Sequence, residues 1–444
     1  MIAAEPSAVA CGTDARGAPF RPVRMAEIEL SRALPDLAPG PGSAWMLVRL
    51  HSEPLGSVRT SLDERGLPAE DLADLIWSRL RRPITERLIA QGVDPPDRLG
   101  ARGLDVDPAR SPYLRERLGI LADAPRISVV ICTRDRADRL EACLAGVSRQ
   151  DYPSYDVIVV DNAPRTDVVR NLVADGPGRR EWRYVLEPRP GLSWARNAGC
   201  ALADGDIVAF LDDDETPDEY WLAEIARGFA AAADIGCVTG SILPARLDTQ
   251  AQDWFERLGG HNKGRGFEPA VFARDGDQSP LYPLPPFGTG GNMAFRRLVL
   301  HGLGGFDVAL GGGTPSRAGE DTLAITQVLL SGYRVAYQPS AVVWHDHRAE
   351  VGELARQLRG YGVGLTAYYA ALLWHSPALL VPLLRLVPAG VHDLRSEASG
   401  RAERMRDFPA WLTLGQRGSM LAGPVAYARS RHLQRRLGGT EAVR

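Results

Sequence analysis

Short apolar runs alternate with longer amphipathic stretches through the middle of the chain. Residues 127–132 (Ile-Ser-Val-Val-Ile-Cys) form a β-branched run of the length and character of a buried strand. Beyond it, Asp138 with Glu141 three positions on marks a helix start, and Leu140, Cys143, Leu144 and Val147 fall on one helical face. A second buried run, 156–160, ends in Asp161 and Asn162. A third, 183–186, precedes a helix over 193–202, and a fourth, 206–211, ends in three aspartates. Strands alternating with helices predict an α/β fold with a mostly parallel sheet and covered faces. In open sheets of this kind ligands bind beyond the carboxyl ends of the strands. That is where Thr133, Asp161, Asp212, Asp213 and Asp214 fall.

The flanks read differently. Residues 1–20 are small and polar, and are expected to be disordered. Residues 21–120 read as a small α+β module with its linker: strands at 45–50 and 56–60, a helix over 69–88 carrying Leu72, Leu75, Ile76 and Leu80, then a Pro-, Gly-, Asp- and Arg-rich stretch over 92–112. Residues 121–350 form the central domain, and 351–444 a helical C-terminal region with a basic tail. Between Tyr361 and Leu384 the only ionisable group besides tyrosine is His375, but Pro377 and Pro382 interrupt the stretch. A spanning helix needs about 20 apolar residues. A hairpin packed on the central domain is the favoured reading, ahead of peripheral membrane contact through 361–444 and of a true span. Residues 395–444 hold ten arginines against four acids, a balance that suits an anionic leaflet.

Composition narrows the classes. The 444 residues carry a net charge of -3, so no basic domain points to nucleic acid. Lys263 is the only lysine, which makes arginine richness a compositional trait before it is evidence of anion binding. The cysteines Cys11, Cys132, Cys143, Cys200 and Cys237 have no metal-ligand spacing and read as small core residues of a reducing compartment. The first ten residues carry Glu5 and no basic stretch, so no signal peptide is expected. The expected location is cytoplasmic, with contact at the inner face of the membrane if the basic tail docks.

Two acidic clusters carry candidate chemistry. Asp212, Asp213 and Asp214 follow a hydrophobic strand, and adjacent carboxylates repel unless cations or solvent relieve them. A hard divalent cation (Mg2+ or Mn2+) bridged to a diphosphate would do so; a solvated acidic turn is the alternative. Further on, a glycine-rich loop, 311–319, leads into Glu320 and Asp321 ahead of a helix marked by Leu323, Ile325, Val328 and Leu329. A carboxylate at a helix start beside a flexible loop suits proton abstraction from a hydroxyl. The alternative is an N-capping acid.

The order Ile131-Cys-Thr-Arg-Asp-Arg136, Val160-Asp-Asn162, Gly191-Leu-Ser-Trp-Ala-Arg-Asn-Ala-Gly199, Phe210-Leu-Asp-Asp-Asp214 and Gly319-Glu-Asp321 resembles the family 2 glycosyltransferases. The resemblance covers about 126–350 and implies a GT-A fold, Rossmann-like, acting by inversion on a nucleoside-diphosphate-sugar donor and an acceptor hydroxyl of a glycan, lipid-linked sugar or small molecule. It implies that Thr133 and Arg136 line the nucleotide pocket, that Asp161 contacts the base, that Arg196 lies by the nucleotide, and that Asp212 contacts ribose. Asp214 would ligate the metal and Asp321 would be the catalytic base. Asp213 sits among the nucleotide-sugar contacts without a derived role. Arg134 and Asp135 depart from the family, where an aromatic residue and Asn are common.

Three further features are weighed beside these. Phe287-Gly-Thr-Gly-Gly-Asn-Met-Ala-Phe295 is expected to place Gly291 and Asn292, with Glu320, on the acceptor side; a tight turn is a compatible reading. His345 and His347 share a strand face; His345 is the better metal candidate, and a structural histidine the alternative. Trp254, Phe255, His261 and Lys263 read as an ordinary surface loop in preference to an acceptor loop. Two other classes compete: a nucleotidyltransferase making activated sugars, and a non-catalytic nucleotide-sugar scaffold. The first needs a glycine-rich loop after the first strand, yet no glycine follows Thr133 until Gly146. Intact carboxylates at Asp214 and Asp321 oppose the second.

Overall fold

The computed structural model describes residues 20–40, 42–175, 182–282, 287–390, 392 and 408–438. The expectation of disorder over 1–19, and the parts of the basic tail at 393–407 and 439–444, lie outside the described residues.

In the N-terminal module β1 (Val23–Glu29) runs parallel to β2 (Gly42–Leu50), which pairs antiparallel with β3 (Glu53–Leu62). Strand alternation sends Met46 and Val48 towards α1 (Ala69–Ala90), where Leu72, Ile76, Ile84 and Leu88 share their core. The opposite face presents Trp45 and Leu47 to Leu243, Leu247 and Val342 of the central sheet. Val23 N–H bonds Leu247 O at 2.9 Å, and Arg49 and Arg59 reach Asp218 and Asp253, each at 2.6 Å. The 92–112 stretch is no free tether: Leu99, Leu104 and Val106 are buried in the module core. It leads to α2 (Pro112–Ala122), capped by Ser111 with Pro at its first position. There Arg117 pairs with the buried Glu224 at 2.9 Å.

The central sheet begins as the hydrophobic runs predict: β4 (Ile127–Thr133), α3 (Ala137–Val147), β5 (Tyr155–Asn162), α4 (Val168–Asp175), β6 (Trp182–Glu187), α5 (Leu192–Leu202) and β7 (Ile207–Asp212). These four strands are parallel, in the order β7-β4-β5-β6. The chain continues through β8 (Glu215–Pro217), α6 (Trp221–Ala230), β9 (Ile235–Pro244), α7 (Gln250–Arg257), β10 (Ala270–Phe272), β11 (Asn292–Arg296), α8 (Arg297–Gly302), α9 (Glu320–Leu330) and β12 (Arg334–His345). The sheet order is β10-β12-β9-β11-β7-β4-β5-β6, with β8 on β12. β11 is antiparallel to both neighbours, and β9 is parallel to β12. Alternate residues of β4 serve two cores: Ile127, Val129 and Ile131 face α3 and α6, while Val130 joins Val160, Phe210 and Phe306 on the other side.

The C-terminal region is helical. α10 (Val351–His375) lies against α9 and is followed by a 3-10 turn, Pro377–Leu379, and by α11 over 380–390. α12 (Ala410–Ser419) and α13 (Gly423–Arg436) pack on α10. Among the described residues no helix is long and apolar enough to cross a membrane. The apolar stretch from Tyr361 is divided at Ser376 and Pro377. Its first half buries Val363, Ala367, Tyr368 and Leu372, whereas α11 leaves Leu380, Val381, Leu384 and Val387 exposed.

Candidate active site

The carboxyl ends of β4, β5 and β7, the loop before β11, the start of α9 and the end of β12 enclose a crevice of about 920 Å³. Thr133 and the aspartate triplet follow buried strands, so the apolar run anchors the backbone and the polar residues emerge at the sheet edge; Glu320 and Asp321 arrive instead at the start of α9. Thr133, Arg136, Arg196, Asp212, Asp213, Asp214, Gly291, Glu320, Asp321 and His345 all line this space. Asp161 and Asn292 do not.

The aspartates are held mainly by arginines. Asp212 Oδ1 receives Arg196 at 3.2 Å. Asp213 accepts from Thr133 Oγ1 at 2.7 Å and Arg136 at 3.1 Å. Asp214 Oδ2 faces Arg136 at 3.5 Å, Arg139 at 3.4 Å and Arg348 at 3.2 Å. The electrostatic relief that the triplet demands thus comes in large part from guanidinium groups, a solution invisible in the local sequence. It is incomplete. Burial, with the charge of Asp214 beside it, pushes the Asp213 carboxyl up to about 6 despite Arg136. Burial also raises Asp212, against the pull of Arg196. Below them Glu215 is raised well above the usual range by burial and by Asp212 and Asp214. Gly291 passes so close that a Cβ there would meet Glu215 Oε1 at 2.2 Å, which explains the glycine.

Arg196, on α5, links the two acidic clusters. Its Nη1 donates to Glu320 at 2.8 Å, and its Nη2 to Asp212 and to the Gly290 carbonyl at 3.1 Å. Burial opposes its charge, but Glu320 and Asp212 outweigh burial and hold it firmly protonated. Glu320 is itself pushed up to about 7 by burial and by Asp321, with Arg196 pulling the other way. The side chain expected on the acceptor side is therefore the anchor of Arg196. Asp321 does not cap α9. The N-cap is Gly319 at φ 99°, without a side-chain cap, and Asp321 Oδ2 instead accepts the Gly290 N–H at 2.7 Å. Its Oδ1 accepts the first-turn N–H of Thr322 at 2.7 Å and the Thr322 hydroxyl at 3.2 Å, so Asp321 satisfies a donor of α9 without being its N-cap, and the carboxylate also lines the crevice.

Three expectations are corrected by geometry. Asn292 is fully buried: its Nδ2 donates to Ser241 O at 2.9 Å and Ala341 O at 2.7 Å, and its Oδ1 accepts Trp221 Nε1 at 2.9 Å. Its polar capacity is spent joining β9, β12 and α6, so it is not free to meet an acceptor; Gly290 and Gly291 before it line the crevice. The 254–263 segment is no surface loop. Trp254 and Phe255 are buried on α7, and His261 and Lys263 line the crevice. Asp161 lies deeper than expected, with Oδ2 accepting from Tyr184 at 3.0 Å and Oδ1 without a hydrogen-bond partner among the described residues.

A divalent cation fits one edge of the triplet. Asp214 Oδ1 and His345 Nε2 lie 3.6 Å apart, and burial pushes the His345 pKa down to about 3, so the imidazole is neutral and able to ligate. Sequence reasoning missed Arg139 and Arg348, which reach the site from separate elements and share no local motif; His261 was weighed as part of a loop, and Gly290 lies within the glycine segment already singled out.

Comparison with known proteins agrees with this architecture. The model of the family described as Glycosyl transferase family 2 matches residues 128–304. The chain is 26% identical over 236 residues to the glucosyl-dolichyl phosphate glucuronosyltransferase of Haloferax volcanii, covering 51% of this chain and 71% of that one. It is 30% identical over 248 residues to the succinoglycan biosynthesis protein ExoM of Rhizobium meliloti, covering 52% and 71%. Other relatives are matched over 12% to 64% of their length. A mannosyltransferase from Pyrobaculum calidifontis, solved with GDP-Man and Mn2+, is 20% identical with a TM-score of 0.43, covering 71% of this chain and 94% of that one. That overlay is too loose to transfer residue roles.

Proposed function

This chain belongs to the family 2 glycosyltransferases, and from that premise we propose that it moves a sugar from a nucleoside-diphosphate-sugar donor to an acceptor hydroxyl with inversion, aided by Mg2+ or Mn2+. The observation that carries the proposal is the pair of carboxylate clusters on one crevice, Asp212 to Asp214 and Glu320 with Asp321, bridged by the buried Arg196.

Inversion needs one base, which takes the acceptor proton as the hydroxyl attacks the anomeric carbon; the nucleoside diphosphate leaves as an anion and needs no proton. Asp321 is that base. The Gly290 N–H fixes one of its oxygens, orienting the carboxylate towards the space between the glycine loop and β7. Asp214 and His345 would hold the metal, which supplies charge neutralisation for the departing diphosphate. Arg136 and Arg348, both on the crevice wall, add to that neutralisation. Asp161 does not line the crevice, so its Oδ1, unpartnered among the described residues, would meet the base of the nucleotide only after a local rearrangement.

The acceptor belongs to glycan, lipid-linked or small-molecule chemistry. The names of the Haloferax and Rhizobium relatives point to a lipid-linked sugar and a polysaccharide. Peripheral contact with the inner face of a membrane is part of the proposal, because exposed apolar side chains gather on α11 to α13 beside arginines. A screen of nucleotide sugars for metal-dependent hydrolysis tests the core of it. One donor hydrolysed by wild type and not by Asp321→Asn is the expected result. Equal inertness of both proteins, with nucleotide still bound, would instead favour the scaffold.

A further inference from the structure

Behind the proposed metal ligands lies a line of polar groups with no role so far. His347 Nε2 is 3.1 Å from Glu256 Oε2, and His347 Nδ1 is 2.7 Å from His345 Nδ1. The other nitrogen of His345, Nε2, lies 3.6 Å from Asp214 Oδ1. His347 is buried, with the Phe255 ring edge-on at 4.8 Å. Glu256 is pinned under the backbone of Gly260, where a Cβ would come within 2.4 Å of its Oε2.

With Glu256 ionised and both imidazoles neutral, the hydrogens along this line can be placed in one way. An ionised carboxylate only accepts, so Nε2 of His347 carries a hydrogen at the Glu256 link. A neutral imidazole has one N–H, which leaves Nδ1 of His347 as an acceptor. The hydrogen in the 2.7 Å link therefore belongs to Nδ1 of His345. Its Nε2 is then a bare lone pair facing an oxygen of Asp214. Two electron-pair donors at this separation, shielded from water, repel unless a cation lies between them.

We infer that Glu256 and His347 are positioning residues that lock His345 in the tautomer presenting Nε2 as a metal ligand beside Asp214. The inference rests on the proposal that these two residues share a divalent cation. Metal-bound histidines commonly donate their second nitrogen to a carboxylate or carbonyl. Here the carboxylate acts through one intervening imidazole, so the orientation of His345 is set from α7, across the sheet edge. His261, whose Nε2 has no partner among the described residues, offers a rival arrangement in which three imidazoles hold a nitrogen-preferring ion. That arrangement needs the His347 lone pair that the relay spends on His345.

The test is Mn2+ affinity of the full chain, read by electron paramagnetic resonance in the presence of GDP and, separately, UDP. Glu256→Gln and His347→Gln are expected to weaken Mn2+ about 10- to 100-fold, the usual effect of losing such an outer partner. Glu256→Asp should recover part of the loss, with melting temperatures close to wild type. If wild type binds Mn2+ and Glu256→Gln binds it equally well, the relay is wrong and the metal site stands. If wild type binds no Mn2+ with either nucleotide, the metal reading falls and takes the relay with it. Co2+ bound equally by wild type and Asp214→Asn, and lost in His261→Ala, would reveal an all-imidazole site and overturn the relay.

Discussion

The main-chain N–H of Gly290 donates to Oδ2 of Asp321 across 2.7 Å, so the loop ahead of β11 holds the carboxylate that opens α9. The same glycine offers its carbonyl to Arg196. One peptide segment thus ties the proposed base to the guanidinium that pairs with Asp212. Asn at 321 keeps an acceptor for the Gly290 N–H but cannot take a proton. Asp321→Asn is expected to lower turnover by about 10²- to 10⁴-fold, the range for a lost general base. Calorimetric donor binding should stay within a factor of about two, since RT ln 2 is only ~0.4 kcal/mol. Near wild-type turnover would rule Asp321 out.

Arg196 carries a second prediction. Its charge is buried and compensated by Glu320 and Asp212. Arg196→Ala leaves two carboxylates facing each other without it, and breaking a buried pair in this way costs about 3–5 kcal/mol. Both acids already sit above their usual range and would rise further without Arg196. A raised carboxyl binds its proton in the folded state while the unfolded chain has lost it, so the folded form is penalised as pH rises from the unfolded value towards the folded one. The deficit of the variant should therefore be larger at pH 8 than at pH 5 in urea titrations. An equal deficit at both would show that the lost charge is not what destabilises it.

Asp214 tests the cation. Three arginines converge on its Oδ2, so Asp214→Ala frees positive charge and should leave diphosphate binding intact or stronger without metal. What should vanish is the metal dependence: titrations of nucleoside diphosphate with and without Mn2+ should coincide for the variant and differ for wild type. A persisting Mn2+ effect would move the ligand elsewhere.

These relationships mark where local sequence stops being informative. The strands β4, β5, β6 and β7 were legible because each is a short apolar run bounded by polar residues, and their ends placed Thr133, Asp161 and the aspartate triplet at one sheet edge. β11 was not legible as a strand: its segment read as an acceptor-side stretch compatible with a tight turn, since Gly288, Gly290 and Gly291 lead into it and its burial comes from β7 and β9 on either side. β1 escaped notice because its face is only half-covered. Asn292 misled for a related reason: a polar residue after glycines resembles a ligand contact, and only the fold shows its bonds to Ser241, Ala341 and Trp221. Arg139, Arg348 and Glu256 are distant in sequence and gain meaning only through tertiary convergence.

The C-terminal helices are anchored by Asp307. Its Oδ2 accepts from His375 at 2.9 Å and Tyr427 at 2.8 Å, and its Oδ1 from Ala309 N at 2.8 Å. Burial works to raise this carboxyl, but the bonds from His375, Ala309 and Tyr427 prevail and lower it. A depressed carboxylate stabilises the fold above its unfolded pKa of about 3.9, and that contribution fades as pH falls through the folded value. Asp307→Asn should therefore melt below wild type at pH 7, by about 1–3 kcal/mol for bonds to a charged group. The gap between the two proteins should narrow as pH falls below about 3.9 and close beneath the folded value. A gap that persists in acid would show that charge is not the source of the anchoring.

The same helices supply the surface on which membrane contact depends. Leu414, Leu421 and Val425 are 65%, 87% and 72% exposed, while Leu412 and Tyr427 on the same helices are buried against α10 and the Asp307 loop. Deleting this region would uncover α10 and confound folding with docking, so point substitutions are the sharper probe. Each exposed leucine entering the headgroup boundary contributes about 1.5–3 kcal/mol at full burial, and arginines near an anionic surface add about 1 kcal/mol each. Leu421→Glu with Val425→Glu should thus release the protein from vesicles of phosphatidylglycerol and phosphatidylcholine, with the melting temperature unchanged. Raising salt should weaken wild-type sedimentation by screening the arginines without abolishing it. If wild type never sediments with these vesicles, the exposed apolar face serves another contact and the peripheral membrane role is wrong.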